Sequence, residues 1–352
     1  MQGVIAISQF TTQQSFFKSE LLRKLTGESL IGADISGVAK FVFEGQKIVR
    51  SYGTFPHPNV LGGFLILTIL ITILLYLESK NGYLSSKLAN YKLFSSYDNT
   101  KDGISQGIIC SLFWIVIIFI QISALFLTFS RISWFSFILA VIILLIISIT
   151  YLTNVSRETL VKNTIIKFKE LFIVILLLIV LTISNFSIIQ ARIGDNLLSV
   201  DNRSPNNYAL SDRLFYNNVS NKIISNNPFF GSGLGTFVFQ IDGYLEENNI
   251  NQKLEPWQYQ PAHNIYFLIA SEIGIIGLLF FLLFLIYTIS ISLNIVSSEI
   301  IFNRRFNYYL LTIFLSFLFI GLFDHYFWTL QQGRLIFWLV LGFMLVNNNK
   351  RK

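Results

Sequence analysis

Charged residues occupy only 13% of the 352 positions, too few to solvate a water-soluble domain of this size. A lone cysteine, Cys110, excludes an intramolecular disulfide and says nothing about redox compartment. There are three histidines, His57, His263 and His325, far apart in the chain, and no D-x-D carboxylate pair. Metal chemistry therefore has little support, and a reaction without metal or other cofactor is expected. The first residues, MQGVIAISQF, lack the basic start and full apolar stretch of a secretory signal. They read as the tail of a membrane span, so helices upstream of this chain are expected to be missing.

What fills the chain instead is apolar: 53% hydrophobic residues and a mean hydropathy of +0.60. A helix needs about 20 residues to cross a bilayer. Runs that approach or exceed this lie at Val60–Leu77, Ile104–Phe129, Ile132–Leu152, Leu171–Gln190, Ile275–Asn294 and Asn307–Phe323. A seventh, Leu335–Val346, is short and is expected to start near Gln331. The expected fold is an all-α polytopic membrane bundle of about seven spans, one membrane domain over residues 1–352.

Lys80, Lys87, Lys92 and Lys101 fall in one connection, Arg157, Lys162, Lys167 and Lys169 in another. Arg304 and Arg305 follow a third span, and Lys350, Arg351 and Lys352 close the chain. Alternating spans put all four regions on one side, the cytoplasmic one, because translocation disfavours Lys and Arg in short loops. The net charge of +7 is then mostly topogenic, and no nucleic-acid partner is expected. Residues 10–58, the junction Ser130–Arg131, residues 191–262 and residues 324–333 fall outside. Residues 10–58 are also basic, which this rule does not explain.

Several local elements are legible. TTQQSFFKSELLRKL places Phe16, Phe17, Leu21, Leu22 and Leu25 beside Lys18, Arg23 and Lys24, the pattern of a basic amphipathic surface helix. GVAKFVFEGQKIVRSYG alternates around Glu44–Gly45 as a small hairpin does. Residues 191–262 are polar and too long for a passive connection, which points to an external lid subdomain, mostly helical. Within it, Leu214, Phe215, Val219, Ile223 and Ile224 share a helical face, with Ser211 or Asp212 as cap. The apolar run from Asn264 to Asn294 exceeds one crossing, so a break is expected near Glu272–Gly274.

Residues with chemistry gather at the outer edge. His263, at the membrane surface, is placed either to take a proton from a hydroxyl or to cap a helix and touch head groups. Asn264 beside it could orient the ring or hold substrate. Arg131, Arg213 and Arg50 each admit lipid or packing roles, or together a diphosphate site built from planar guanidinium forks. The GSGLG turn at Gly231–Gly235 has no surrounding strand–turn–helix unit, which excludes a dinucleotide fold and leaves a plain turn or a backbone phosphate cradle. Glu272, Asp324 and His325 are polar groups at or within membrane ends, serving a site or local hydrogen bonds.

Taken in order, GTFPHPNVLGGFL, FSRISW, SDRLFYNNVSNKIISNNPFFGSGLGTF, PAHNIYFLIASEIGIIGLL and GLFDHYFWTLQQGRLIFWLVLGF resemble the O-antigen ligase and O-antigen polymerase superfamily of bacterial envelope glycosyltransferases. That resemblance implies a glycan donor on polyprenyl diphosphate, transferred to a glycan, lipid or protein acceptor at the outer face of the cytoplasmic membrane, among membrane lipids. It implies that His263, Arg131 and Arg213 are the essential groups. His57, Asn59, Arg50, Asn264, Glu272, Asp324 and His325 then fall to substrate binding. Family members generally have more spans than this chain, so a truncated, split or degenerate gene is expected. Repeat-unit polymerase, protein O-glycosylation and lipid-linked glycan transport stay open as alternatives.

Overall fold

A computed structural model describes residues 1–80, 101–153, 205–250, 254–295 and 301–349, with scattered helical positions between 176 and 190. The expected span Leu171–Gln190 therefore lies largely outside the described residues, as do most of the basic connections and the start of the 191–262 segment. The chain is mostly helical and forms two compact units, each assembled from separate stretches of sequence.

The first unit comprises Met1–Leu30, Ser51–Phe186 and Val296–Ile313. It holds α1 (Gln2–Thr12), α2 (Glu20–Thr26), α3 (Pro58–Lys80), α4 (Lys101–Leu127) and α5 (Arg131–Thr153). The amphipathic surface helix is shorter than its apolar spacing suggested: only Glu20–Thr26 is helical, and Phe16 and Phe17 precede it. Their backbone N–H groups donate to the buried Glu28 carboxylate, which draws the chain out of helical geometry there.

Helix α1 is pinned by one side chain. The Gln9 amide donates to Glu28 Oε1 (2.7 Å) and Gly53 O (2.7 Å), while its oxygen accepts from the backbone of Tyr52 (3.0 Å) and Gly53 (2.8 Å). Gly62 lets α3 close on Ser133 of α5, a small-residue crossing of the kind membrane helices use. Arg305, which also counts among the basic residues of the expected cytoplasmic side, donates to the buried Glu78 carboxylate at 2.9 Å.

The second unit comprises Ile31–Arg50, Ser187–Ile295 and Phe314–Lys352. Strands β1 (Lys40–Phe43) and β2 (Gln46–Val49) form the expected hairpin, Phe43 opposite Gln46, with Glu44 and Gly45 both at positive φ as a two-residue hairpin turn requires. Helix α6 runs from Pro205 to Asn226, so Ser211 and Asp212 lie inside it and not at its cap. Proline suits that first position because its absent N–H has no intrahelical partner to lose. A 3-10 turn (Phe237–Gln240), α7 (Ile241–Glu247) and a second turn (Pro256–Gln258) follow. Tyr216, Val219, Ile223, Phe237, Ile241 and Leu245 form an apolar core that also receives Ala262 and Leu268. The described part of the 191–262 segment is thus a folded body whose core reaches the residues flanking His263.

Helix α8 (Ile265–Ile295) breaks at Gly274, with φ 76° and ψ 177°, a region essentially closed to residues with a Cβ. At such a break three backbone groups lose their intrahelical partners, and the 227–236 turn supplies all three. Ser232 N–H donates to Ser271 O (2.9 Å), Gly233 N–H to Glu272 O (2.8 Å), and Pro228 O accepts from Ile275 N–H (2.8 Å). Gly231 and Gly274 permit this approach: a Cβ on the first would strike the Glu272 carbonyl, and on the second the Phe229 carbonyl. The GSGLG turn is therefore a helix splice, with the amides of Ser232 and Gly233 already engaged.

Helices α9 (Ile301–Gly321), α10 (Tyr326–Thr329) and α11 (Gln331–Asn349) complete the chain, α11 beginning at the expected residue. Among the described residues, Pro58–Ser79 and Ile265–Leu293 are long and apolar enough to cross a bilayer; Ser111–Leu127, Arg131–Ile147 and Gln331–Val346 are shorter apolar helices. Beyond its break α8 exposes Ile275, Leu279, Phe280, Leu283 and Ile286. A contiguous apolar face of this kind suits hydrocarbon and would be a liability in water.

Gly274→Ala should destabilise the protein by on the order of 3 kcal/mol, from forbidden backbone geometry and collision with Phe229. Gly243→Ala in α7, where a Cβ meets nothing within 4 Å, should be neutral or mildly stabilising. Thermal midpoints of both variants in detergent check this; equal midpoints would contradict the splice.

Candidate functional site

The second unit brings His263, Arg213, Asp324 and His325 together from three parts of the sequence. Asn264 fixes His263 at the mouth of α8. Its Oδ1 accepts from the backbone of Tyr266 (2.9 Å) and Phe267 (3.1 Å), an N-cap, while its Nδ2 donates to Leu322 O at 3.1 Å. One amide therefore starts α8 and ties it to the chain just before Asp324. Asn264, expected to touch substrate or the imidazole, has both ends of its side chain committed to backbone.

The His263 ring lies steeply inclined to Tyr216 (centroids 5.9 Å apart, planes at 66°) and tilted against His325 (5.1 Å). Tyr216 is itself held by its hydroxyl, which donates to Gln258 O. Burial, followed by the Asp212 charge, pushes that phenol up to about 12, so it stays protonated. Arg213 precedes Tyr216 by three positions on α6, hence on the same face. It makes no ion pair among the described residues.

Burial drives the His263 pKa down to about 4; the Asp324 carboxylate opposes that shift, and the charges of His325 and Arg213 add to it. At neutral pH the imidazole is uncharged and able to accept a proton. Its Nδ1 is buried with no hydrogen-bond partner among the described residues. The Arg213 guanidinium is thus close enough to be felt at the ring, while no carboxylate among the described residues forms an ion pair with it.

Asp324 and His325 occupy the turn between α9 and α10. Asp324 Oδ1 accepts from the His325 backbone (2.8 Å), and His325 Nδ1 shares a hydrogen bond with Thr329 Oγ1 (2.7 Å). These are the local bonds expected of them, but they also set both groups against His263. One donor-capable atom from each of His263, Asp324 and His325 lies within 4.8 Å of the others. The wide sequence separation of the histidines, which argued against a metal-ligating cluster, does not hold in space. Burial lowers the His325 pKa as well, against the raising effect of Asp324. Glu272 is buried two turns along α8, where Trp328 Nε1 donates to it over a long 3.5 Å.

Arg50 ends the hairpin in this same unit and is buried, its backbone N–H donating to Ala39 O at 3.1 Å. Arg131, His57 and Asn59 belong to the first unit. Arg131 is the first residue of α5. His57 Nδ1 accepts from the Asn59 backbone (3.2 Å), and the His57 carbonyl accepts from Val60 and Leu61, so His57 serves as a cap for α3.

Tyr216, Trp328 and Thr329 were not singled out from sequence. The i,i+3 spacing of Arg213 and Tyr216, and the recurrence of His, Tyr, Trp and Thr within DHYFWT, are the signals that could have found them.

Residues 116–282 match the family model described as O-antigen ligase. No curated protein and no solved structure matches the chain. Over that stretch the chain is similar to the O-antigen ligase family, and the matched region holds Arg131, Arg213 and His263 while ending before Asp324 and His325.

Proposed function

We propose that the protein transfers a glycan from a polyprenyl-diphosphate donor to an acceptor hydroxyl at the extracytoplasmic face of the cytoplasmic membrane. The similarity of residues 116–282 to the O-antigen ligase family supports glycosyl transfer in lipopolysaccharide-type biosynthesis, in general from a lipid-linked glycan donor to an acceptor. The observation that carries the finer reading is the pairing, in one folded unit, of a neutral imidazole at His263 with Arg213, the ring Nδ1 without a hydrogen bond and the guanidinium without an ion pair among the described residues.

In this reading the acceptor O–H gives its proton to His263 as its oxygen bonds to the anomeric carbon. The bond from that carbon to the diphosphate oxygen breaks with its electron pair, and the leaving group departs as an anion. Because the diphosphate is already ionised, fixed guanidinium charge stabilises its departure and no general acid is required. An imidazole with a pKa near 4 is a weak base when alone. Negative charge accumulating beside Arg213 offsets the guanidinium and raises the basicity of the ring as the reaction needs it. Attack on the face opposite the leaving group inverts the anomeric centre.

The same reading takes residues 191–262 as an extracytoplasmic lid subdomain within a single membrane domain of about seven spans. It assigns Arg131, Arg50, His57 and Asn59 to donor binding on the strength of sequence, and makes Asn264 a positioning residue for His263. Glu272, Asp324 and His325 border the acceptor side.

His263→Ala should lower transfer by about 100-fold or more, with the thermal midpoint and donor binding nearly unchanged, measured on protein reconstituted with a defined lipid-linked donor. Wild-type turnover in that variant would remove the base assignment.

Arg213→Lys keeps the charge but loses the planar fork, and should still cost at least about tenfold in turnover. Full activity in the lysine variant would reduce Arg213 to packing.

A further inference from the structure

His263, Asp324 and His325 present two imidazoles and one carboxylate with donor-capable atoms within 4.8 Å of one another. This nitrogen-rich set is one that borderline transition cations favour, whereas Mg²⁺ and Ca²⁺ prefer oxygen. Two further observations concern the same residues and their neighbour. His263 Nδ1 is buried without a partner, and so is the Tyr326 hydroxyl, whose burial and proximity to Asp324 hold it protonated. Buried polar atoms are rarely orphaned, and those that are call for something to satisfy them. The orientation is also prepared: Thr329 engages His325 Nδ1, leaving the other ring nitrogen to bind, and a hydrogen bond of this type fixes a ligating histidine.

We propose that this triad binds a divalent cation of the Zn²⁺ class, and that its occupation inhibits glycan transfer. The inhibitory part rests on His263 acting as the base: a lone pair given to the cation is no longer available for the acceptor proton. Donor atoms around tetrahedral zinc lie about 3.3 Å apart, given bonds of about 2.0 Å. The triad must therefore contract by rotation of side chains, which the short α9–α10 turn can accommodate. Arg213 opposes the incoming charge, so the cation is held reversibly.

Full-length protein in detergent is titrated with Co²⁺, a coloured stand-in for Zn²⁺. One Co²⁺ per chain is expected, with the visible absorption of a nitrogen- and oxygen-ligated centre, discharged by Zn²⁺ and unaffected by Mg²⁺. His325→Gln and Asp324→Asn should each weaken Co²⁺ binding about tenfold or more, with thermal midpoints reporting that the variants remain folded. In the transfer assay EDTA alone should leave turnover unchanged, while Zn²⁺ should suppress it and EDTA restore it.

Absence of Co²⁺ binding to the wild-type chain, or binding that both variants retain, overturns the site. Binding that leaves transfer unchanged or raises it overturns the inhibitory role. If instead Co²⁺ binds while His263→Ala keeps full transfer, the site stands and the base reading falls.

Discussion

Three backbone hydrogen bonds at the interruption of α8 set the geometry on which the second unit depends. A helix that breaks among apolar residues leaves carbonyls and an amide whose desolvation costs several kcal/mol each unless they are satisfied within the protein. The 227–236 turn satisfies them, and glycine at 231 and 274 is the condition for its approach. The consequence reaches beyond local stability. The splice fastens the end of α6 to the middle of α8, while the apolar core around Tyr216 and Phe237 fastens α6 to the start of α8. His263 and Arg213 are thereby held by two attachments of the same pair of helices.

Around that frame the polar groups are divided between fixing and reacting. Asn264 spends its whole side chain on backbone, joining the start of α8 to the end of α9, and this sets the distance between His263 and the Asp324–His325 turn. Tyr216 spends its hydroxyl on Gln258 and packs its ring steeply inclined against His263. What remains for chemistry, among the described residues, is an imidazole nitrogen without a hydrogen-bond partner and a guanidinium without an ion-paired carboxylate. Charge balance then favours an anion beside Arg213 over a cation, and a reversible cation at the triad over a permanent one.

Much of this was visible in the residues. The alternation about Glu44–Gly45 specified the hairpin, and an apolar run too long for one crossing specified a break that Gly274 provides. The start of α6 was misread because Ser211 and Asp212 look like caps, whereas Pro205 opens the helix two turns earlier. The GSGLG turn could not be understood from its own residues: the carbonyls it satisfies lie some 40 positions later, at Ser271 and Glu272. The closeness of His263 and His325 was hidden for the same reason, since sequence separation carries no information about a contact made between two helix ends. Arg213 and His263 were legible as types and only the fold sets them near each other; Tyr216, whose ring packs against His263, gave no signal beyond its spacing.

The most direct test is an experimental structure of the protein bound to a non-cleavable polyprenyl-diphosphate glycan. The account predicts diphosphate oxygens within hydrogen-bond reach of the Arg213 guanidinium and the anomeric carbon facing the His263 imidazole, with room between them for one acceptor oxygen. A diphosphate bound out of reach of Arg213, or a sugar held where the His263 ring cannot approach its anomeric carbon, would contradict it.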